Sequence, residues 1–386
     1  MTIKLSDDQV RQLRLSAQRL ALEPGEGTPS VARVVKDLCG IQAQEAPAAA
    51  LAIRVRSRGL VAADVERASV QERTTIRTWG LRGTLHLLAT EDLDWLLPLL
   101  GTVFIAGDRR RREELGLDEE TCARGLRVLR DVLANRAPLT RAEIIEQLAA
   151  HGVRLVGQAA PHLLARAALE GILCLGPERG GKPTYVLLSD WIGAEHRGSP
   201  LPEEAAHAEL TRRYLAAYAP ATPQDQAAWS GMPLSKTRHA WGHLANQLIE
   251  VEVAGASAWL LKQHASRLDE PAAAVPNVRL LPRFDVYLLG YQTRDLAVPP
   301  QYAKRINAGG GIVHPTVLVD GLAVATWKSN RKGNKLQVVV VPFDSLVPRS
   351  VPGLQVEVTD LGRFLEVQAS LEIQALNPPR PAQFQE

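Results

Sequence analysis

Cysteine and long apolar runs are scarce in this sequence, and each scarcity excludes a class of protein. The three cysteines, Cys39, Cys122 and Cys174, are far apart, and none has a second Cys or a His at ligand spacing. That pattern argues against disulfides and against a zinc site. No stretch approaches the roughly 18 uninterrupted apolar residues of a membrane span, and the first residues do not resemble a signal peptide. We therefore expect a cytoplasmic protein without metal, cofactor or membrane contact.

Lysine is also scarce, so arginine carries most of the positive charge. Of the 45 basic residues 36 are Arg, and the formal net charge is +3. Arg is suited to bidentate phosphate contacts, but a GC-rich genome or thermal adaptation would give the same bias. The bias therefore decides nothing by itself. The length of 386 residues and the hydrophobic content of 46% predict a folded protein of about two to four domains.

A unit of helices closed by a β-hairpin recurs along the chain and is clearest in the middle. Its predicted segments are a helix over 119–135, a helix opened by a Thr140–Glu143 capping box, a third helix over 158–170, and strands over 172–175 and 184–188. Three helices and a two-stranded wing form a winged helix-turn-helix. In such a unit the third helix is the one that can enter a major groove.

Two further copies of this unit are readable, and a β-rich segment follows them. The downstream copy has helices over 203–218 and 234–247, a cap at Thr222 and a hairpin over 249–261; the N-terminal copy has a hairpin over 75–79 and 84–88. From about Val278 the predicted strands are 313–319, 322–327, 336–341 and 354–358. We predict an α+β fold of three winged-helix domains, over 1–105, 106–195 and 196–275, and a small barrel-like β-rich domain over 276–386.

Two glutamines flank a small apolar residue in Gln42-Ala43-Gln44, at a junction between helices. Each amide offers a carbonyl acceptor and two N–H donors, so the pair could hold and orient a water molecule without carrying charge. Surface or capping amides would give the same local pattern. The residue pattern alone therefore leaves both interpretations open.

Four segments resemble the winged-helix DNA glycosylases of the AlkZ and YcaQ type, over most of the chain. The segments are Gly40-Ile41-Gln42-Ala43-Gln44, the run from Arg77 to Leu87, the run from Leu280 to Asp285 with Tyr287 to Tyr291, and, more weakly, the run from Asp320 to Trp327. The resemblance implies a C-shaped arrangement that binds duplex DNA in its concave face. It also implies a glycosylase for alkylated bases. We further expect a monomer that associates with the nucleoid.

The family's catalytic motif is a Gln, a hydrophobic residue and then Gln or Asp, and it maps onto Gln42, Ala43 and Gln44. Ala43 is a minimal hydrophobic residue, which is a small departure. A purine alkylated at N7 or N3 is cationic and leaves as a neutral base, so this chemistry needs no general acid. Amide oxygens would stabilise the oxocarbenium-like sugar and position the attacking water. Methyl lesions, bulky adducts and interstrand crosslinks all remain open as substrates.

The N-terminal hairpin supplies three candidate DNA contacts, Arg82, Thr84 and His86. Arg82 lies between two glycines at the tip, where it has room to reach a phosphate or the minor groove. His86 could contact the phosphate or sugar at the lesion, or it could be a half-buried wing residue. Both interpretations of His86 stay open on residue type.

Two basic clusters differ in their surroundings. Lys328, Arg331 and Lys332, with Lys335, surround a glycine-containing turn with no nearby acid, so we expect them to bind the DNA backbone. The run Arg109 to Arg112 is followed by Glu113 and Glu114, so a self-neutralised solvated segment is at least as plausible there.

Asp285 is the strongest carboxylate candidate for assisting the water, with Arg283 as its possible partner. We favour a structural ion pair for these two residues and do not count them as catalytic. A non-enzymatic winged-helix regulator remains the main alternative function, since fold does not imply function. A nuclease or metal-dependent hydrolase is disfavoured, because no cluster of acids or histidines at ligand spacing and no glycine-rich phosphate loop supports it.

Overall fold

The computed structural model describes residues 3–21, 27–269 and 275–375. Within these residues the fold is α+β, as predicted. Residues 376–386, the end of the predicted C-terminal domain, lie outside the described residues. In the described part of the chain no helix combines the length and the apolar character needed to cross a membrane.

Sixteen helices occur in the described residues. They are α1 (Asp7–Ala17), α2 (Val31–Asp37), α3 (Ala46–Arg54), α4 (Ala62–Val70), α5 (Leu93–Gly107), α6 (Arg109–Glu114), α7 (Glu119–Leu133), α8 (Arg141–Ala150), α9 (Ala159–Leu169), α10 (Leu188–Trp191), α11 (Glu203–Tyr218), α12 (Pro223–Ser230), α13 (Leu234–His243), α14 (Val286–Leu289), α15 (Ala303–Ile306) and α16 (Val351–Leu365). Thr140 and Thr222 form the predicted caps of α8 and α12, since each hydroxyl accepts a backbone N–H three residues on.

Sixteen strands also occur in the described residues. They are β1 (Ile3–Leu5), β2 (Ile41–Gln42), β3 (Thr75–Trp79), β4 (Leu85–Ala89), β5 (Leu139–Thr140), β6 (Leu173–Arg179), β7 (Lys182–Leu187), β8 (Leu248–Val253), β9 (Ala256–Leu261), β10 (Val278–Leu281), β11 (Asn307–Gly309), β12 (Ile312–Val313), β13 (Thr316–Val319), β14 (Leu322–Lys332), β15 (Lys335–Pro342) and β16 (Gln368–Ile373). The three predicted hairpins are confirmed as β3–β4, β6–β7 and β8–β9.

One six-stranded sheet, in the order β2-β4-β3-β6-β7-β5, joins the first two hairpins. The junction is an antiparallel pairing of Arg77 in β3 with Leu175 in β6. Strand β1 instead pairs in parallel with β8, far along the chain. The N-terminal segment is therefore shared between distant parts of the sequence, which local patterns do not reveal.

The C-terminal part is a five-stranded sheet, β10-β13-β14-β15-β16, covered by helix α16. The predicted tight turn at Asp320-Gly321 is confirmed, and both residues have the positive φ of a two-residue hairpin, 52° and 79°. The predicted strand over 354–358 is wrong, because it lies inside α16. Leu354, Val358 and Leu361 recur at helical spacing and pack on the sheet, although the alternation in the sequence resembles a strand.

Candidate active site

Gln42 lies at the edge of the six-stranded sheet, at the end of a sharp change of direction. Cys39 and Gly40, which follow α2, both have positive φ, 54° and 110°. Residues with a Cβ rarely adopt the φ of position 40, and a Cβ there would also lie 2.8 Å from Cδ2 of Leu88, so the turn favours glycine. The two-residue strand β2 then pairs with β4 and sets Gln42 opposite His86.

The two glutamines of the motif contact each other directly. The Gln42 side-chain amide donates to Oε1 of Gln44 at 2.7 Å. Gln42 is 7% exposed, whereas Gln44 is exposed, and Ala43 between them is buried at 1%. Ala43 continues the pairing with β4 through a 2.8 Å hydrogen bond from its N–H to the Leu85 carbonyl. The two amides therefore meet on one side of the chain, while the small apolar residue fills the other side.

Arg82 holds the orientation of the Gln42 amide. Its Nη2 donates to Oε1 of Gln42 at 2.5 Å, and its Nη1 donates to the carbonyl of Trp229 in α12. Because a guanidinium only donates, it selects the amide orientation that turns Nε2 of Gln42 toward Gln44. The sequence predicted that Arg82 would extend outward, but its backbone is left-handed, at φ 54°, and its half-buried guanidinium turns inward. Burial lowers the pKa of Arg82.

Arg77 fixes the backbone of the same motif, a role that the sequence analysis missed. Its Nε donates to the carbonyl of Ala43 at 2.8 Å, and its Nη2 donates to the carbonyl of Gln44 at 3.1 Å. Oε1 of Glu178 in β6 lies 3.3 Å from Nη1 of Arg77 and balances the guanidinium charge. The sequence could have indicated this role only through the position of Arg77, which begins the second segment that resembles the glycosylase family.

His86 lies on β4 opposite Gln42 and is more buried than the half-buried position that the sequence suggested. It is 1% exposed, and its Nδ1 lies 3.0 Å from the carbonyl of Thr84. Burial, with the nearby charge of Arg82, lowers the pKa of His86 to about 3, so the imidazole is neutral at pH 7. Thr84 is half-buried, and its hydroxyl donates to the carbonyl of Leu81 at 3.1 Å. DNA contacts from these two residues stay predictions, and the burial of His86 does not favour one there.

Comparison with known proteins identifies the family. The family model "DNA glycosylase AlkZ-like" matches residues 35–364, which is most of the chain. The chain belongs to the AlkZ-like DNA glycosylases. An interstrand DNA cross-link repair glycosylase of Streptomyces sahachiroi is 31% identical over 364 residues, covering 90% of this chain and 93% of the relative. The solved structure of the Streptomyces sahachiroi DNA glycosylase AlkZ matches with a TM-score of 0.82 at 27% identity, covering 96% of this chain and all of that one.

Asp285 of this AlkZ-like glycosylase is a buried structural residue. Its carboxylate accepts two hydrogen bonds from Arg56, at 2.7 and 2.8 Å, and both side chains are 0% exposed. It also accepts the N–H of Tyr287 and so caps α14. The suggested partnership with Arg283 is wrong, since Arg283 pairs with Glu45, next to the motif, at 2.5 Å.

The basic cluster around residues 328–335 and the one in α6 differ in how many of their positive charges are paired with acids. Residues 328–335 form the end of the β14–β15 hairpin, and every one of them is exposed. In α6, by contrast, Arg109 pairs with Glu113, and Arg110 and Arg111 pair with Glu114. The exposed hairpin end therefore presents unbalanced positive charge, and α6 presents much less.

A cavity of about 380 Å³ adjoins the site at Arg82. It lies between the hairpin tip, α5 and α9, and its walls include Trp79, Phe104 and His162. His162 contributes Nδ1 at 2.8 Å from Asp108. The cavity is within the size range of small-molecule sites, which is about 300–1,000 Å³.

Proposed function

We propose that this AlkZ-like glycosylase hydrolyses the N-glycosidic bond of purines made cationic by N7 or N3 alkylation, including bulky adducts and interstrand crosslinks. The observation that carries the proposal is the pair Gln42–Gln44, joined to each other and fixed by Arg82 and Arg77. The relative of similar length is named for interstrand crosslink repair, which supports the crosslink part of the proposal.

The reaction breaks the bond between C1′ of the sugar and the purine nitrogen. The electron pair of that bond goes to the base, which leaves neutral because alkylation had made it cationic. Water attacks C1′ and releases a proton to the solvent, which gives an abasic site. The enzyme must therefore stabilise positive charge on the sugar and position the water, and amide oxygens can supply both effects.

The hydrogen bonds suggest different roles for the two glutamines. Gln42 is only 7% exposed, with its oxygen bonded to Arg82 and its nitrogen to Gln44, so we assign it a positioning role. Oε1 of Gln44 accepts one hydrogen bond from Gln42, and a carbonyl oxygen has two lone pairs. Because Gln44 is exposed, its second lone pair can face the sugar or the water.

The DNA would lie across three winged-helix units. Their proposed bounds are 1–105, 106–195 and 196–275, followed by the β-rich domain over 276–386. The order of three helices and a hairpin supports the second unit, α7 to α9 with β6–β7, and the third, α11 to α13 with β8–β9. We propose that one copy of the chain binds one damaged duplex.

The exposed end of the β14–β15 hairpin should contact the phosphate backbone. Changing Lys328, Arg331 and Lys332 together to Ala should make the slope of log affinity against log salt less steep by about 3, since each phosphate contact contributes about 0.9. Fluorescence anisotropy with undamaged duplex at several salt concentrations measures the slope.

A matched control removes the same charge from α6. Changing Arg109, Arg110 and Arg111 to Ala should alter the slope much less, because nearby glutamates already balance these side chains. Equal effects of the two triple changes would contradict a DNA-binding role specific to the hairpin.

Changing Arg82 to Ala should slow base release by about 10- to 100-fold, because a hydrogen bond from a charged group is worth about 1.5–3 kcal/mol. The measurement is a single-turnover rate at saturating enzyme, made beside the affinity for undamaged duplex. An unchanged rate with weakened, less salt-dependent binding would instead assign Arg82 to a phosphate, as its sequence position suggested.

Two duplexes test the proposed substrate class. One carries a single N7-methylguanine and the other an interstrand crosslink between guanine N7 atoms, and alkaline cleavage reveals abasic sites. The wild-type chain should release the modified base from both and should leave unmodified guanine intact. Binding without release from either duplex would overturn the proposal and leave a DNA-binding regulator.

A further inference from the structure

Three exposed side chains with metal-binding atoms converge on the surface between α11 and α13. Glu204 lies in the first turn of α11, and His239 and His243 lie one turn apart on α13. The two imidazole Nε2 atoms are 3.1 Å apart. Oε1 of Glu204 is 3.6 Å from Nε2 of His239 and 3.9 Å from Nε2 of His243. Three ligand atoms from two separate helices therefore point at one place.

These separations are close to those in a tetrahedral metal site. Ligand atoms about 2.05 Å from a zinc ion at tetrahedral angles lie about 3.3 Å from one another. The nitrogen pair is already slightly closer than this value, at 3.1 Å. The carboxylate oxygen is a few tenths of an ångström too far from each nitrogen, which an exposed glutamate can correct by a small side-chain rotation. Little rearrangement is needed to place an ion between the three atoms.

The surroundings leave the carboxylate of Glu204 available for this purpose. The neighbouring glutamate, Glu203, takes the ammonium of Lys236 as its partner. The two imidazoles have perpendicular rings with centroids 4.7 Å apart and Nε2 atoms 3.1 Å apart, so either one donates its N–H to the other or both lone pairs face one cation. In the second arrangement the carboxylate of Glu204 balances part of the charge of the cation.

We propose that Glu204, His239 and His243 bind a divalent transition-metal ion of the Zn²⁺ class and thereby link α11 to α13. Two imidazoles and one carboxylate form a donor set that suits Zn²⁺, Co²⁺ and Ni²⁺, whereas Mg²⁺ and Ca²⁺ prefer oxygen alone. Water completes the fourth position, which three protein ligands leave open. His239 and His243 are four residues apart on one face of α13, which is a ligand spacing, so the sequence prediction of no metal site missed this pair.

Titration calorimetry and thermal unfolding of the full chain, prepared without an affinity tag, test this site. One Zn²⁺ should bind per chain, and ZnCl₂ should raise the unfolding temperature because it binds the folded state. MgCl₂ should do neither. CoCl₂ should produce the ligand-field absorption of a four-coordinate ion, which ZnCl₂ should abolish by competition.

Variants assign the binding to these three residues. The double change His239→Ala, His243→Ala should remove the bound ion, and Glu204→Gln should weaken binding by more than about tenfold, since even outer-shell changes cost 10- to 100-fold. His151→Ala is the matched control, because His151 is an exposed histidine at the end of α8. All variants should unfold at the wild-type temperature when metal is absent.

Two outcomes would overturn the proposal. One is the failure of the wild-type chain to bind ZnCl₂ or CoCl₂. The other is equal binding by the wild type and by both site variants. The site is separate from Gln42 and Gln44, so base release by the wild type is not a readout for it, and either result leaves the proposed glycosylase chemistry untouched.

Discussion

Replacing Gln44 with Ala should lower the single-turnover rate of base release from N7-methylguanine by about 100- to 1,000-fold, the usual cost of removing one preorganised polar group that stabilises transition-state charge. Gln44 is exposed, and its carbonyl is held in place by Gln42 at 2.7 Å. The change also removes the acceptor of the buried Gln42 amide, which costs about 1 kcal/mol in a typical case. Affinity for undamaged duplex should stay at the wild-type value, and the unfolding temperature should fall only slightly.

Two further variants sharpen that prediction. Gln44→Asp keeps an oxygen acceptor and introduces the Asp that the family motif also allows at this position. It should therefore release the base much faster than Gln44→Ala. Gln355→Ala is the matched control. It removes an exposed amide from α16, which does not carry the motif, and should leave the rate of base release unchanged. Equal loss in Gln44→Ala and Gln44→Asp would contradict an acceptor role for the Gln44 oxygen.

Replacing Asp285 with Ala should destabilise the fold by about 3–5 kcal/mol, because it leaves a fully buried guanidinium without its counter-charge. Arg56 would keep only its bonds to the carbonyl of Ala52, at 3.1 Å, and to Oε1 of Gln18, at 3.5 Å. The cap of α14 would be lost as well. Urea unfolding followed by circular dichroism measures the change.

The double replacement Arg56→Met, Asp285→Leu separates the charge from the packing. Apolar side chains of similar volume often replace a buried pair without loss, so the double variant should be more stable than Asp285→Ala. Removing an exposed partner, as in Arg109→Ala on α6, should leave stability unchanged. A loss of base release in a stably folded Asp285→Leu, Arg56→Met variant would show that the carboxylate acts in the chemistry.

Local rules predicted much of the fold. The capping residues Thr140 and Thr222 and the turn at Asp320-Gly321 were readable because their geometry depends only on neighbours in sequence. Residues 354–358 were misread because a short run of alternating apolar residues fits a strand as well as a helix. The contacts that decide between them come from the sheet under α16.

The candidate site was only partly predictable. Gln42 and Gln44 were found through the family motif, but their mutual hydrogen bond depends on the turn at Cys39 and Gly40. The inward direction of Arg82 follows from a left-handed backbone that non-glycine residues seldom adopt. The partnership of Arg56 with Asp285 joins residues far apart in sequence, so no local pattern could reveal it.

The most direct test compares the wild-type chain with the double variant Gln42→Ala, Gln44→Ala on a duplex that contains one N7-methylguanine, under single-turnover conditions and with binding measured in parallel. Rapid base release by the wild type, its loss in the double variant and unchanged DNA affinity are the predicted results. Base release at the wild-type rate by the double variant would contradict a catalytic role for the glutamine pair.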